Sequence, residues 1–159
     1  MRVYLAGPDV FREDALSHFN SLKIIAIKYN IQAVSPLDNV ANPFTALTIF
    51  KANIRLIDEC DAIVANLVPF RGLGVDDGTA FEIGYGFAKG KIISGYSPVN
   101  NIPYKDQAKK KLDLLDQEFQ LLEDFGQPCN LMITESIMLQ QGRIYKTFED
   151  CILNLVKNK

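Results

Sequence analysis

Short apolar runs alternate with amphipathic stretches along this chain, and that alternation restricts its fold more than any other feature. "RVYLAG" (2–7) is a strand that ends in Gly-Pro, "IQAVSP" (31–36) is a strand closed by Pro36, and "KIISGY" (91–96) is a fourth strand. "DAIVANLV" (61–68), the third, is apolar on both faces, as a strand covered from both sides must be. A weak fifth strand is expected at "IMLQ" (137–140). Between the strands the apolar spacing becomes helical. Residues 12–29 carry Leu16, Phe19, Leu22, Ile25 and Ala26; residues 44–59 carry Leu47, Phe50, Ile54 and Ile57. Further helices are expected over 78–89, over 107–125 with a seam of Ala108, Leu112, Leu115, Phe119 and Leu122, and over 144–157 with Ile144, Phe148, Ile152, Leu153 and Val156. Parallel strands joined by helical crossovers need helices on both faces of the sheet. The expected fold is therefore α/β: one doubly wound, flavodoxin- or Rossmann-like sandwich over residues 1–159, with a mostly parallel five-stranded sheet.

Ligands of such sheets bind beyond the carboxyl ends of the strands. Four segments gain functional weight on that ground: Gly7–Phe11, Pro36–Asn42, Asn66–Gly78 and Gly95 onward. The net charge of −2 and the lack of a basic stripe with interleaved aromatics argue against a nucleic-acid polymer as partner. Lys109, Lys110 and Lys111 form the only basic run and read as a solvated helix face. No run of about 18 apolar residues suggests a membrane span, and "MRVYLAGP" reads as a strand rather than a signal peptide. Cys60, Cys129 and Cys151 are scattered and odd in number, which reads as reduced core thiols in a cytoplasmic protein. His18, the only histidine, reads as a surface residue, so no metal site is expected.

The stretch "DDGTAFEIGYGFAKGK" (76–91) places Glu82 among small and apolar residues near the head of a helix. A glutamate there is stabilised by the helix dipole by about 0.3–1 kcal/mol, which is one sufficient explanation. Gly84 and Gly86 inside the helix each cost about 1 kcal/mol relative to alanine. Something must therefore approach this surface closely, either a packed element or a ligand. "GYGFAKG" (84–90) lies too far inside the helix for a dinucleotide fingerprint, and neither a Walker loop nor a G-x-S-x-G elbow occurs.

"YLAGPDVF" at the first strand, "CDAIVANL" at the third, the 76–91 block and "NLM" (130–132) together resemble the nucleoside 2-deoxyribosyltransferases, in order and over most of the chain. The resemblance implies a transferase that exchanges the base of 2'-deoxyribonucleosides for salvage, with no cofactor. Glu82 would be the nucleophile of a retaining double displacement through a covalent deoxyribosyl-glutamate. It implies that Tyr4 orients that carboxylate, although Tyr4 alone would read equally as a core aromatic. Asp76 would hold the sugar 5'-hydroxyl, where a helix cap is the other reading and Asp77 competes for it. Asn130 would reach the same hydroxyl from a neighbouring subunit with Met132 beside it; the alternative is a helix cap followed by a core methionine. Gly7 belongs to the substrate loop, and Phe11 either stacks on the base or packs beneath that loop.

Two departures stand out. Asn53 occupies a position where relatives carry a base-contacting aspartate, and an amide cannot act as an ordinary general acid. Asp9 is the candidate proton donor in its place, with solvent or a different base contact as the alternatives. The polar tail "NLVKNK" lacks the terminal aromatic residue of some relatives. The expected partners are a deoxynucleoside and a free nucleobase, in a homo-oligomer (dimer or hexamer) with shared sites. The alternative function is an N-glycosidase that hydrolyses 2'-deoxynucleosides or their 5'-monophosphates.

Overall fold

The computed structural model describes residues 1–38, 42–110 and 121–157. Five strands form one sheet in the order β2-β1-β3-β4-β5, and every pairing is parallel. They are β1 (Arg2–Ala6), β2 (Gln32–Val34), β3 (Ala62–Asn66), β4 (Ile92–Tyr96) and β5 (Ile144–Tyr145). The helices are α1 (Ala15–Lys28), α2 (Ala46–Asp58), α3 (Asp77–Ala88), α4 (Tyr104–Lys109), α5 (Leu131–Leu139) and α6 (Phe148–Lys157). The chain moves outward from β1 to β2 and then returns to add β3 on the other side. The order of winding thus reverses between β1 and β3, which leaves a crevice at their carboxyl ends.

Strand alternation sorts the core into two halves. Val3, Leu5, Ala62 and Val64 face α1 and α6, where Phe19, Leu22, Ala26, Phe148 and Ile152 complete one cluster. Tyr4, Ala6, Ile63, Ala65 and Ile93 face α2, α3 and α5, where Ile57, Ile83 and Ile137 complete the other. The two-residue period therefore decides that Tyr4 points toward the α3 side. The same period at the end of β3 turns Asn66 the other way.

Several expectations are corrected. Residues 137–139 belong to α5 and Gln140 caps it, and the fifth strand is instead Ile144–Tyr145, inside the span read as the last helix. A short apolar run satisfies either period, and the Asn130 side chain decides between them by capping α5 through the Met132 N–H (3.0 Å). Among the described residues of the helix expected over 107–125, the helical ones belong to Tyr104–Lys109, and residues 121–124 are not helical. Ala108 of its seam is buried, whereas Lys111, Leu112, Leu115 and Phe119 lie outside the described residues. Leu16, Leu47 and Phe50, members of the expected apolar stripes, are exposed, while Phe19, Leu22 and Ala26 of the α1 stripe are buried together with Ala15. All three cysteines are free and buried. Among the described residues no helix is long and apolar enough to cross a membrane.

The glycines of the 76–91 block serve different ends. A Cβ on Gly86 would sit 2.3 Å from Ile63 Cδ1, so this glycine lets α3 lie directly on β3. A Cβ on Gly84 would meet nothing within 4 Å. Close packing of an element thus accounts for Gly86, and no contact accounts for Gly84.

Candidate active site

A cavity of about 580 Å³ opens at the crevice, on the α2/α3 side. That volume is in the range of small-molecule sites. The loop after β1 supplies Gly7, Val10 and Phe11, the turn after β2 supplies Pro36 and Leu37, α2 and its approach supply Phe44, Ile49, Ala52 and Asn53, and α3 supplies Asp76, Gly78 and Glu82. Gly7 is required where it stands. A Cβ there would lie 2.7 Å from Asn66 Cβ, so only glycine lets the loop pass the end of β3. A smaller hollow of about 230 Å³, lined by Phe50, Ile54 and Phe81, also reaches Asn53 and Glu82.

Glu82 accepts a hydrogen bond from the Tyr4 hydroxyl at 2.5 Å. Tyr4 is fully buried, so its ring is held by the core while its hydroxyl holds the carboxylate. Burial, then the charge of Glu82, raise the Tyr4 pKa far above its ordinary value, and the phenol stays a donor. Burial raises Glu82 most and the neighbouring Asp76 charge adds to it, while the Tyr4 hydrogen bond pulls the other way; the result is about 7. A carboxylate so placed is poorly solvated and half ionised near neutrality, which suits a nucleophile for a cationic carbon.

Asp76 both caps α3 and lines the cavity. Its Oδ2 accepts from the Thr79 N–H (3.0 Å) and the Thr79 hydroxyl (3.1 Å), while Asp77 makes the first helical residue. The two readings of Asp76 are therefore compatible, since one oxygen serves the cap and Oδ1 remains. Asn53 also lines the cavity, and its buried Oδ1 has no hydrogen-bond partner. An unpaired buried acceptor calls for a donor from outside the protein.

Three expected site residues stand elsewhere. Asp9, read as the candidate proton donor, does not line this cavity. It is 5% exposed and faces the α1 side, where Asn66 Nδ2 donates to both its oxygens (3.1 and 2.9 Å). His18, read as a surface residue, is only about a quarter exposed. Its Nε2 lies 3.0 Å from Asp9 Oδ1 but off the line of a hydrogen bond. Asn130 and Met132 are also away from the cavity of their own chain: Asn130 caps α5, and Met132 is 69% exposed, not a core residue. Conversely, the apolar wall of Val10, Ile49, Ala52 and Phe44 was not singled out from the sequence. These residues carry no chemistry of their own, and only the packing of α2 against α3 brings them to one surface.

The site thus joins two carboxylates, one buried phenol and one free amide, without a cation among its described lining. That arrangement can stabilise positive charge on a ligand carbon and then bond to it. The family profile described as nucleoside 2-deoxyribosyltransferase matches residues 3–132. A 2-deoxyribosyltransferase structure from Leishmania mexicana is 32% identical, with a TM-score of 0.81, covering 98% of this chain and 97% of that one. A 2-deoxyribosyltransferase from Bacillus psychrosaccharolyticus is 21% identical (TM-score 0.60, covering 94% and 89%). A CMP N-glycosidase from Clostridium botulinum is 18% identical (TM-score 0.51, covering 98% of each). At these two identities the likeness concerns the fold alone. An uncharacterized protein of Schizosaccharomyces pombe is 38% identical over 103 residues, 60% of this chain, and the match spans about half (49%) of that relative's length. With a profile match over most of its length, this chain belongs to the nucleoside 2-deoxyribosyltransferase family.

Proposed function

We propose that this protein moves 2-deoxyribose from one nucleobase to another, through a covalent intermediate on Glu82, in nucleoside salvage. The supporting observation is the Glu82 carboxylate, which lines the cavity and is held there by the Tyr4 hydroxyl at 2.5 Å. In the first displacement a Glu82 oxygen bonds to C1' and the C1'–N bond breaks, its electron pair leaving with the base. In the second, a ring nitrogen of the incoming base bonds to C1' and the Glu82–C1' bond breaks, which restores the carboxylate. Asn53 binds the base but gives it no proton, and Asp9 faces away, so water at the cavity mouth protonates the leaving base, and the hydroxide so formed takes the N–H proton of the incoming base in the second step. The free oxygen of Asp76 takes the sugar 5'-hydroxyl and repels a 5'-phosphate, which favours nucleosides over nucleotides. Phe11, 58% exposed, stacks on the base, and Asn130 and Met132 close the site of a second copy in a homo-oligomer. Three buried thiols suit the reducing cytoplasm.

The test is product analysis. Deoxyadenosine with hypoxanthine should give deoxyinosine and adenine without added metal or cofactor. Free deoxyribose at the same rate with and without acceptor would instead identify a hydrolase.

Tyr4→Phe should preserve the fold and move the pH profile. The hydroxyl lowers the Glu82 pKa from what burial alone would set, so removing it raises that pKa above 7. Since the ionised form attacks, the acid limb of kcat/KM should shift to higher pH. Turnover at pH 7 should fall by roughly 10- to 100-fold, the loss of one charge-assisted hydrogen bond. An unmoved limb would remove Tyr4 from this role.

A further inference from the structure

The loop of residues 7–11 divides the carboxyl end of the sheet into two cavities, and only one holds Glu82. The second, about 460 Å³, opens on the α1/α6 side. Among the described lining residues, Phe11 alone belongs to both. Parallel sheets bind ligands at this end, and the chemistry set out above leaves the second cavity unused.

Its lining is graded from inside to outside. The floor is the Asp9 carboxylate, 5% exposed, bridged by Asn66 Nδ2 and approached by His18. A carboxylate offers about four acceptor positions, and the Asn66 amide does not fill them, which leaves room for a further donor. The walls are aromatic. Phe11 stacks on Phe70 (centroids 5.3 Å apart, planes at 19°), and Tyr96 meets Phe148 edge-on at 5.8 Å. Outside, the Arg71 guanidinium lies over both Phe70 (4.7 Å) and Phe11 (5.2 Å), which stiffens that wall. The rim carries Arg12, Lys146 and Thr147. Arg12 pairs with Asp14 at 2.8 Å, whereas Lys146 is in none of the ion pairs among the described residues.

The two cavities therefore differ in charge. The Glu82 cavity has two carboxylates and no cation; the second has one sunken carboxylate and two cations at its mouth. A ligand that satisfies the second needs a flat ring to lie against phenylalanines, an N–H donor at its inner edge and an anion at its outer end. We propose that this cavity binds a nucleoside 5'-monophosphate with an amino-substituted base, the exocyclic amine on Asp9 and the phosphate on Lys146, Arg12 and Thr147. Bound there, the nucleotide fixes Phe11, which is also a wall of the Glu82 cavity, so the two sites are coupled through one ring.

Calorimetric titration of the purified protein with adenosine 5'-monophosphate tests this, with adenosine and inorganic phosphate as separate arms. One nucleotide per chain should bind, more tightly than either fragment. Lys146→Glu should weaken it by about tenfold or more, and Lys146→Gln by less. Lys146 is exposed, so both variants should match the wild type in circular dichroism and in KM for a deoxynucleoside without nucleotide. Binding that ignores the Lys146 charge, phosphate alone binding as tightly as the nucleotide, or no heat at millimolar nucleotide would each overturn the assignment.

Discussion

Replacing Glu82 with glutamine is expected to cut deoxynucleoside turnover by about 10⁴-fold or more, while stabilising the folded protein above neutral pH. The first effect follows from chemistry, since an amide oxygen cannot form the ester on C1' and release it again. The second follows from linkage. Glu82 titrates at about 7 in the folded protein against an ordinary 4.5, so between those values the folded state holds a proton that the unfolded chain has lost. Its contribution to stability is therefore full below pH 4.5, declines as pH rises, and is gone above about 7. Glutamine does not ionise and still accepts from the Tyr4 hydroxyl. The variant should gain of order 1–3 kcal/mol at pH 8, after allowance for partial solvent access, and little at pH 4. Denaturant melts at both pH values give the difference, and base exchange measured by chromatography gives the rate. A glutamine variant that exchanges bases within tenfold of wild type would end the covalent mechanism. One that is less stable at pH 8 than wild type would show that the acid is better solvated than its surroundings indicate. A site that lowers stability in order to hold a reactive group is a familiar compromise.

The second large effect lies far from the chemistry. Gly142→Ala should destabilise the fold by more than about 3 kcal/mol, or a fall in Tm of roughly 6–12 °C. The turn between α5 and β5 passes so close to β4 that a Cβ on Gly142 would lie 1.6 Å from the Ile93 carbonyl oxygen and 3.1 Å from Ile137 Cγ2. The obstacle is backbone, not a side chain that can swing aside, and the Gly142 N–H is already committed to the Ile137 carbonyl at 3.0 Å. Gly84→Ala is the contrasting control. It sits on an open helix face where a methyl meets nothing, so it should stabilise α3 by about 0.5–1 kcal/mol. Equal melting temperatures for the two alanine variants would refute the close approach at β4.

The difference between these glycines shows where the chain could be read from its letters and where it could not. The first four strands and the helices between them are legible because their apolar spacing repeats over enough residues to exclude the other period. The end of the chain is not, because "IMLQ" fits a strand as well as a helix and Ile144–Tyr145 is only two residues long. Tyr4 and Glu82 could be paired only through resemblance, since nothing local in either segment points to the other. Asp9 was misplaced for a related reason. Its loop is at the right end of the sheet, but the alternation that turns Asn66 toward α1 draws Asp9 to that side. Exposure was the other weak point: Phe50 and Leu47 lie on the stripe expected to be buried, yet α2 shares its burial with the cavity and leaves both to solvent.

Tyr4 and Glu82 are 78 positions apart. The phenol arrives with the opening strand and the acid only after four further elements, α1, β2, α2 and β3, have been laid down, so the pair spans about the first half of the chain. The pair can form only once β1 and α3, at opposite ends of that span, have docked. Recovery of base exchange after dilution from denaturant should accordingly report long-range docking and remain silent about helix formation.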